Sequence, residues 1–155
     1  MVLAAWQLRV VVGPGSSVSG RRACRKGPAR VVTCTMKPRI DRTQFGSVII
    51  DGKLFEHDVL IRLGGKVARR KKKLSKAVYG TSHIISLAEA RHVYQKGAAR
   101  LLIGAGQYGT VVLSEEATAY FARNRCQVEL LPTPEVIPAW NKAEGAVIGL
   151  LHVTC

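Results

Sequence analysis

The chain has 155 residues, of which 47% are hydrophobic, and its 24 Lys and Arg against 10 Asp and Glu give a net charge of +14. That length suits one domain with a buried core, and apolar runs such as Ala146–Leu151 fall far short of the roughly 20 residues a membrane-spanning helix needs. The four cysteines, Cys24, Cys34, Cys126 and Cys155, form no Cys-x-x-Cys pair and no Cys/His set at zinc spacing, so a reducing compartment is expected, with no disulfide framework, metal or cofactor.

The charge is uneven. Residues 1–35 hold six basic and no acidic residues, and Lys66, Arg69, Arg70, Lys71, Lys72, Lys73 and Lys76 form a second acid-free stretch, while the rest of the chain is close to neutral. Residues 1–35 show no sustained amphipathic period and contain Gly13-Pro14-Gly15-Ser16-Ser17. Arg9 interrupts their apolar stretch, which is not the pattern of a secretory signal. They read as a disordered basic tail with two origins open: upstream sequence before a working start at Met36, which implies a cytoplasmic protein, or an Arg-rich presequence, which implies the mitochondrial matrix. A single α/β domain is expected over residues 36–155.

Phe45–Ile50 reads as a strand, Asp51-Gly52 as a tight hairpin turn, and Lys53–Glu56 as the return strand. His57–Leu63 alternates apolar and polar, Gly64-Gly65 turns the chain, and Val67–Arg70 pairs back before the basic run. Helical spacing then takes over. Ser86-Leu87-Ala88-Glu89 is a capping box, followed by Leu87, Ala90, Val93 and Tyr94 on one face and a stop at Gly97. Arg100–Ile103 is a short buried strand. Ser114 caps a second helix with Glu115 and Glu116 at its positive end and a left-handed stop at Asn124. Cys126–Leu131 is a strand, Thr133-Pro134-Glu135 opens a third helix, and Pro138 within it predicts a kink or a delayed start. Ala146–Val153 is a final apolar strand suited to a central, doubly covered position. Alternating helices and strands with short links predict crossover connections. The expected fold is three-layer α/β: a small mixed sheet, an antiparallel β region at its N-terminal side and helices on the sheet faces.

Four segments in order, Tyr79-Gly80-Thr81-Ser82-His83, Leu102-Ile103-Gly104-Ala105-Gly106, Leu131-Pro132-Thr133-Pro134-Glu135 and His152-Val153-Thr154-Cys155, resemble the adipogenesis-associated Mth-domain family. Its relatives include the mitochondrial respiratory complex I assembly factor three and uncharacterised prokaryotic proteins. The resemblance spans about residues 40–155 and implies a three-layer α/β fold with a small mixed sheet. It implies no enzymatic activity.

Gly104-Ala105-Gly106-Gln107-Tyr108-Gly109 fits G-x-G-x-x-G after a strand, but Thr110–Leu113 separates it from the next helix cap, and Glu129 falls mid-strand where a ribose-binding acid should sit at a strand end. A tight turn passed closely by another backbone fits better, with an anion-holding nest of amides as the intermediate reading. The Gly80–His83 segment beside Lys73 and Lys76 offers hydroxyls and an imidazole to a phosphate or carboxylate, or else serves its own turn. His152 and Cys155 suggest a Cys/His pair without an evident orienting group; the structural alternative is a buried cysteine acting as a small hydrophobe. No catalytic residue is assigned.

The leading expectation is a non-enzymatic binding or assembly-factor-like domain that presents the stripe and the Gly-Thr-Ser-His loop to an acidic protein partner. The alternative is an enzyme or ligand-binding domain for a small anion between loops 80–83 and 104–109. The candidate ligand-binding residues are Arg70, Lys73, Gly80, Thr81, Ser82, His83, Gly104 and Gly106. Aromatics are 6% of the chain and only Tyr79 stands near the stripe, which argues against sequence-specific nucleic-acid binding. Salt-dependent, non-specific RNA or DNA binding remains a third reading.

Overall fold

The computed structural model describes residues 37–155; the basic tail, Cys24, Cys34 and Met36 lie outside them. The chain opens with strands β1 (Ile40–Gln44), β2 (Ser47–Ile50) and β3 (Lys53–Phe55), an antiparallel three-stranded sheet. β1 is a strand that hydropathy does not announce: only Ile40 of Ile-Asp-Arg-Thr-Gln is buried. Phe45 and Gly46 form the turn after it rather than the start of β2. The Asp51-Gly52 hairpin forms as expected, with φ of 47° and 73°, the doubly left-handed turn that matches strand twist.

The principal sheet contains β4 (Val59–Ile61), β5 (Val67–Arg69), β7 (Arg100–Ala105), β9 (Gln127–Leu131) and β10 (Val147–His152), in the order β5-β4-β10-β7-β9. β10 is central, parallel to β7 and antiparallel to β4, and all six of its residues are buried. This is what a continuous apolar strand covered on both faces requires. A two-stranded parallel pair, β6 (Ile84–Ile85) with β8 (Val112–Leu113), lies outside that sheet.

Residue alternation splits the core in two. Leu60, Leu101, Ile103, Ile148 and Leu150 pack with α2 (Leu87–Val93) and α3 (Glu115–Arg123). Val59, Ile61, Leu102, Val147 and Leu151 pack with α4 (Thr133–Lys142) and the three-stranded sheet. On this second face a Cβ at Gly149 would come within 2.9 Å of the Trp140 ring, so glycine lets the indole lie against the strand. The fully buried indole also donates its Nε1 proton to the Pro38 carbonyl at 2.8 Å. The three-layer mixed α/β architecture is therefore the one expected.

Several local details differ from expectation. A short helix, α1 (Lys73–Tyr79), takes in the end of the basic run and stops at Gly80 in the left-handed conformation. Ser86 caps α2 by accepting the Glu89 N–H, but the Glu89 carboxylate does not return to the Ser86 N–H; Ser75 Oγ accepts that proton at 2.9 Å. Asn124 keeps a negative φ and spends its side chain on the Tyr120 carbonyl, so the left-handed residue is Arg125, with φ 54°. α4 begins at Thr133 and runs through Pro138, so its start is not delayed. The N–H that Pro138 lacks would have served Pro134 in the exposed first turn, where water can bond the free carbonyl.

Candidate functional site

The parallel strands β7, β9 and β10 end on the same side, where open α/β sheets tend to place their functional residues. The turn after β3 brings Asp58 there, the end of β10 brings His152, Thr154 and Cys155, and the link from α1 to β6 brings Thr81, Ser82 and His83. Asp58, His152 and the Ser82 carbonyl share one buried polar network.

Arg70 is its hub. Its side chain is 1% exposed, turned inward from the basic run; Nε donates to Glu89 Oε1 at 2.6 Å and Nη2 to the Ser82 carbonyl at 2.8 Å. Glu89 is fully buried and also accepts from Ser75 Oγ. Arg70 therefore leaves the solvated stripe and is not exposed to a ligand. A buried guanidinium must be paired, and the carboxylates that reach it are Glu89 and Asp58. Lys71, Lys73 and Lys76 remain exposed, and Lys72 reaches back to within 3.7 Å of Asp58.

Asp58 Oδ2 lies 2.8 Å from His152 Nδ1, and Oδ1 accepts the Val153 N–H at 3.1 Å. Burial alone would raise this carboxyl, but the bonds from His152 and Val153, with the nearby charge of Lys72, bring it down to about 2. A depressed folded-state value means the stabilisation is complete above the ordinary value of 3.8 and is lost as pH falls towards 2. Acidification from pH 4.5 to 2.5 should thus remove roughly 1.5 kcal/mol of stability through this group. Urea unfolding at the two pH values should show a smaller drop in D58N; an equal drop would refute the assignment.

His152 does not pair with Cys155. Its Nδ1 is engaged by Asp58 and its Nε2 by the Thr154 hydroxyl at 3.0 Å, while the partner of Cys155 is His83, with Nε2 to Sγ of 3.2 Å. Thr81 Oγ1 accepts the His83 backbone N–H and sits 3.2 Å from His83 Nδ1, supplying the orienting group that sequence spacing did not show. Ser82 is buried, and the ring nitrogens of His83 are engaged by Thr81 and Cys155 rather than by the Ser82 hydroxyl, so the two do not form a nucleophile pair. One ligand atom each from His83, His152 and Cys155 lie within 4.8 Å of one another. The imidazole rings meet edge to face, with centroids 5.5 Å apart. His152 and Cys155 stand out together in the sequence, but His83 lies 72 residues before Cys155, too far for any spacing motif to join it to them.

The glycine loop closes on the chain itself. A Cβ at Gly104 would lie 2.8 Å from Thr133 Oγ1, and one at Gly106 only 1.8 Å from the Cys155 carbonyl oxygen. Thr133 Oγ1 accepts the Gly106 N–H and donates to the His152 carbonyl, and Thr110 donates to the Cys155 carbonyl. No helix N-terminus follows the glycines; Val112 instead donates its N–H to the His83 carbonyl. Segments 80–83 and 104–112 thus come together, but Thr133, Thr154 and Cys155 occupy the space beside Gly104 and Gly106. A surface hollow lined by Lys37, Pro38, Arg39 and Asn141 lies by the last turn of α4, which leads into the start of β10, not its end. Among the described residues, no helix is long and apolar enough to cross a membrane.

No protein-family model matches the chain, and no curated protein does. Solved structures do. The conserved hypothetical protein PH1505 from Pyrococcus horikoshii OT3 is 32% identical over 76% of this chain and 99% of its own, with a TM-score of 0.69. MT938 is 29% identical over 77% of this chain and 100% of its own, with a TM-score of 0.64. A Bordetella pertussis protein described as an Mth938-like domain is 17% identical over 84% of this chain and 92% of its own, with a TM-score of 0.53.

Proposed function

The chain belongs to the family of PH1505 and has the Mth938-like fold, and from the charge laid across that fold we propose that it is a non-enzymatic docking domain for an acidic protein partner. The carrying observation is the contrast inside the basic run. Arg70 is buried and spent on Glu89, which anchors the backbone, whereas Lys71, Lys73 and Lys76 are exposed, with no acidic partner within salt-bridge distance among the described residues. Fixed cations on an anchored segment steer an acidic partner and set its register. Val78 and Tyr79, 60% and 38% exposed at the end of α1, add apolar surface beside the charge. The resemblance to a family whose relatives include the complex I assembly factor three supports an assembly-factor-like role. The reading in which a small anion binds between the two loops has less support, because the chain fills the space beside Gly104 and Gly106.

Poly-glutamate serves as the probe of an acidic partner. At low salt it should bind the wild type, and K71E/K73E/K76E should weaken binding at least tenfold while leaving the unfolding midpoint nearly unchanged, since exposed charges contribute little to stability. Equal binding by the variant would remove the stripe from the function. A structured RNA held more tightly than poly-glutamate, with affinity falling steeply as salt rises, would favour the nucleic-acid reading instead.

A further inference from the structure

We propose that His83, His152 and Cys155 form a binding site for a thiophilic d10 cation, with Zn2+ as the reference ion. Two imidazoles and a thiolate are the donor set such ions prefer, and three protein ligands leave one tetrahedral position open. Metal bonds of about 2.0–2.1 Å to nitrogen and 2.3 Å to sulfur place ligand atoms roughly 3.3–3.7 Å apart. One ligand atom from each of the three side chains already lies within 4.8 Å of the other two, and His83 Nε2 and Cys155 Sγ are 3.2 Å apart, so side-chain rotations close the set.

The surroundings orient the rings as a metal site requires. The Asp58 carboxylate is an acceptor, so His152 Nδ1 carries the proton between them and Nε2 holds the lone pair. This is the carboxylate–histidine arrangement that fixes the tautomer of metal-binding histidines. Thr81 holds His83 through Nδ1 in the same sense, again leaving Nε2 for the ion. The Thr154 hydroxyl now on His152 Nε2 turns away when that nitrogen ligates. Binding is a ligand exchange: the Cys155 S–H bond breaks, the S–metal bond forms, and the proton leaves to solvent, with no change of oxidation state. His83 and Cys155 are partly exposed, which gives the ion a path in. Cys126 does not compete, since it is buried with its thiol pushed up by burial.

Co2+ is the probe, added to the reduced full chain with Zn2+ as competitor. The expected result is one tightly bound Co2+, a thiolate-to-cobalt charge-transfer band, and bleaching of that band by Zn2+. C155S should lose the band, and C155S and H83N should each weaken binding at least tenfold. Both residues are partly exposed, so these variants should fold, whereas a His152 variant would disturb the Asp58 network. T81A, which removes an orienting bond and no ligand, should weaken binding by a smaller factor. Because Cys24 and Cys34 also carry thiols, retention of the band in C155S would overturn the proposal, as would unchanged affinity in H83N.

Discussion

R70A is expected to lower the unfolding free energy by about 3–5 kcal/mol, the cost of breaking a buried ion pair by removing one partner. The loss strands Glu89, whose carboxylate is fully buried and has Arg70 and Ser75 as its side-chain donors, and it frees the Ser82 carbonyl. Asp58 loses a cation 3.5 Å away. The same reasoning predicts that R70M/E89L recovers much of the stability, because replacing both buried charges by apolar groups removes the orphan as well as the pair. Urea unfolding of the two variants provides the check. A cost below 1 kcal/mol for R70A would mean that the network is not buried as described.

G106A is expected to cost about 2–4 kcal/mol, through strain at a positive φ and a collision with the backbone. The φ is 92°, and the new methyl would sit 1.8 Å from the Cys155 carbonyl oxygen. The chain must yield at residues 154 and 155, so G106A should also separate Cys155 from His83 and impair Co2+ binding. G80A isolates the clash: Gly80 has φ 69° with nothing within 4 Å of an added Cβ, so it bears conformational strain alone, roughly 1–2 kcal/mol. Thermal unfolding should rank G106A well below G80A, and equal midpoints would show that the close approach does not constrain the fold.

What the sequence disclosed follows from which interactions are local. The Asp51-Gly52 turn, the Ser86 and Ser114 caps and the apolar β10 are each set by neighbours a few residues apart, and all appear. β1 is polar because it is half exposed, so its pairing with β2 carried no hydropathic signal. The role of Arg70 was hidden for another reason. Within Arg69-Arg70-Lys71-Lys72-Lys73, nothing in residue type separates the one inward cation from its solvated neighbours; burial of the Glu89 carboxylate, 19 residues on, makes the distinction. Pairing of Cys155 with His83, 72 residues apart, likewise depends on the sheet order that places β10 beside β7 and on the Val112 N–H that holds the His83 carbonyl. The glycines at 104 and 106 were legible as a close-approach turn; the backbone that passes Gly106 is the continuation of the C-terminal strand, while Gly104 is met by the Thr133 and Leu151 side chains.

Photo-crosslinking from single positions gives the sharpest reading of where a partner sits. A photoreactive residue at position 73 or 76 should capture an acidic segment of the partner, while the same group at exposed position 142, on the α4 face, should capture none. Capture at 142 with silence at 73 and 76 would place the partner on the opposite face and contradict docking through the lysine ridge.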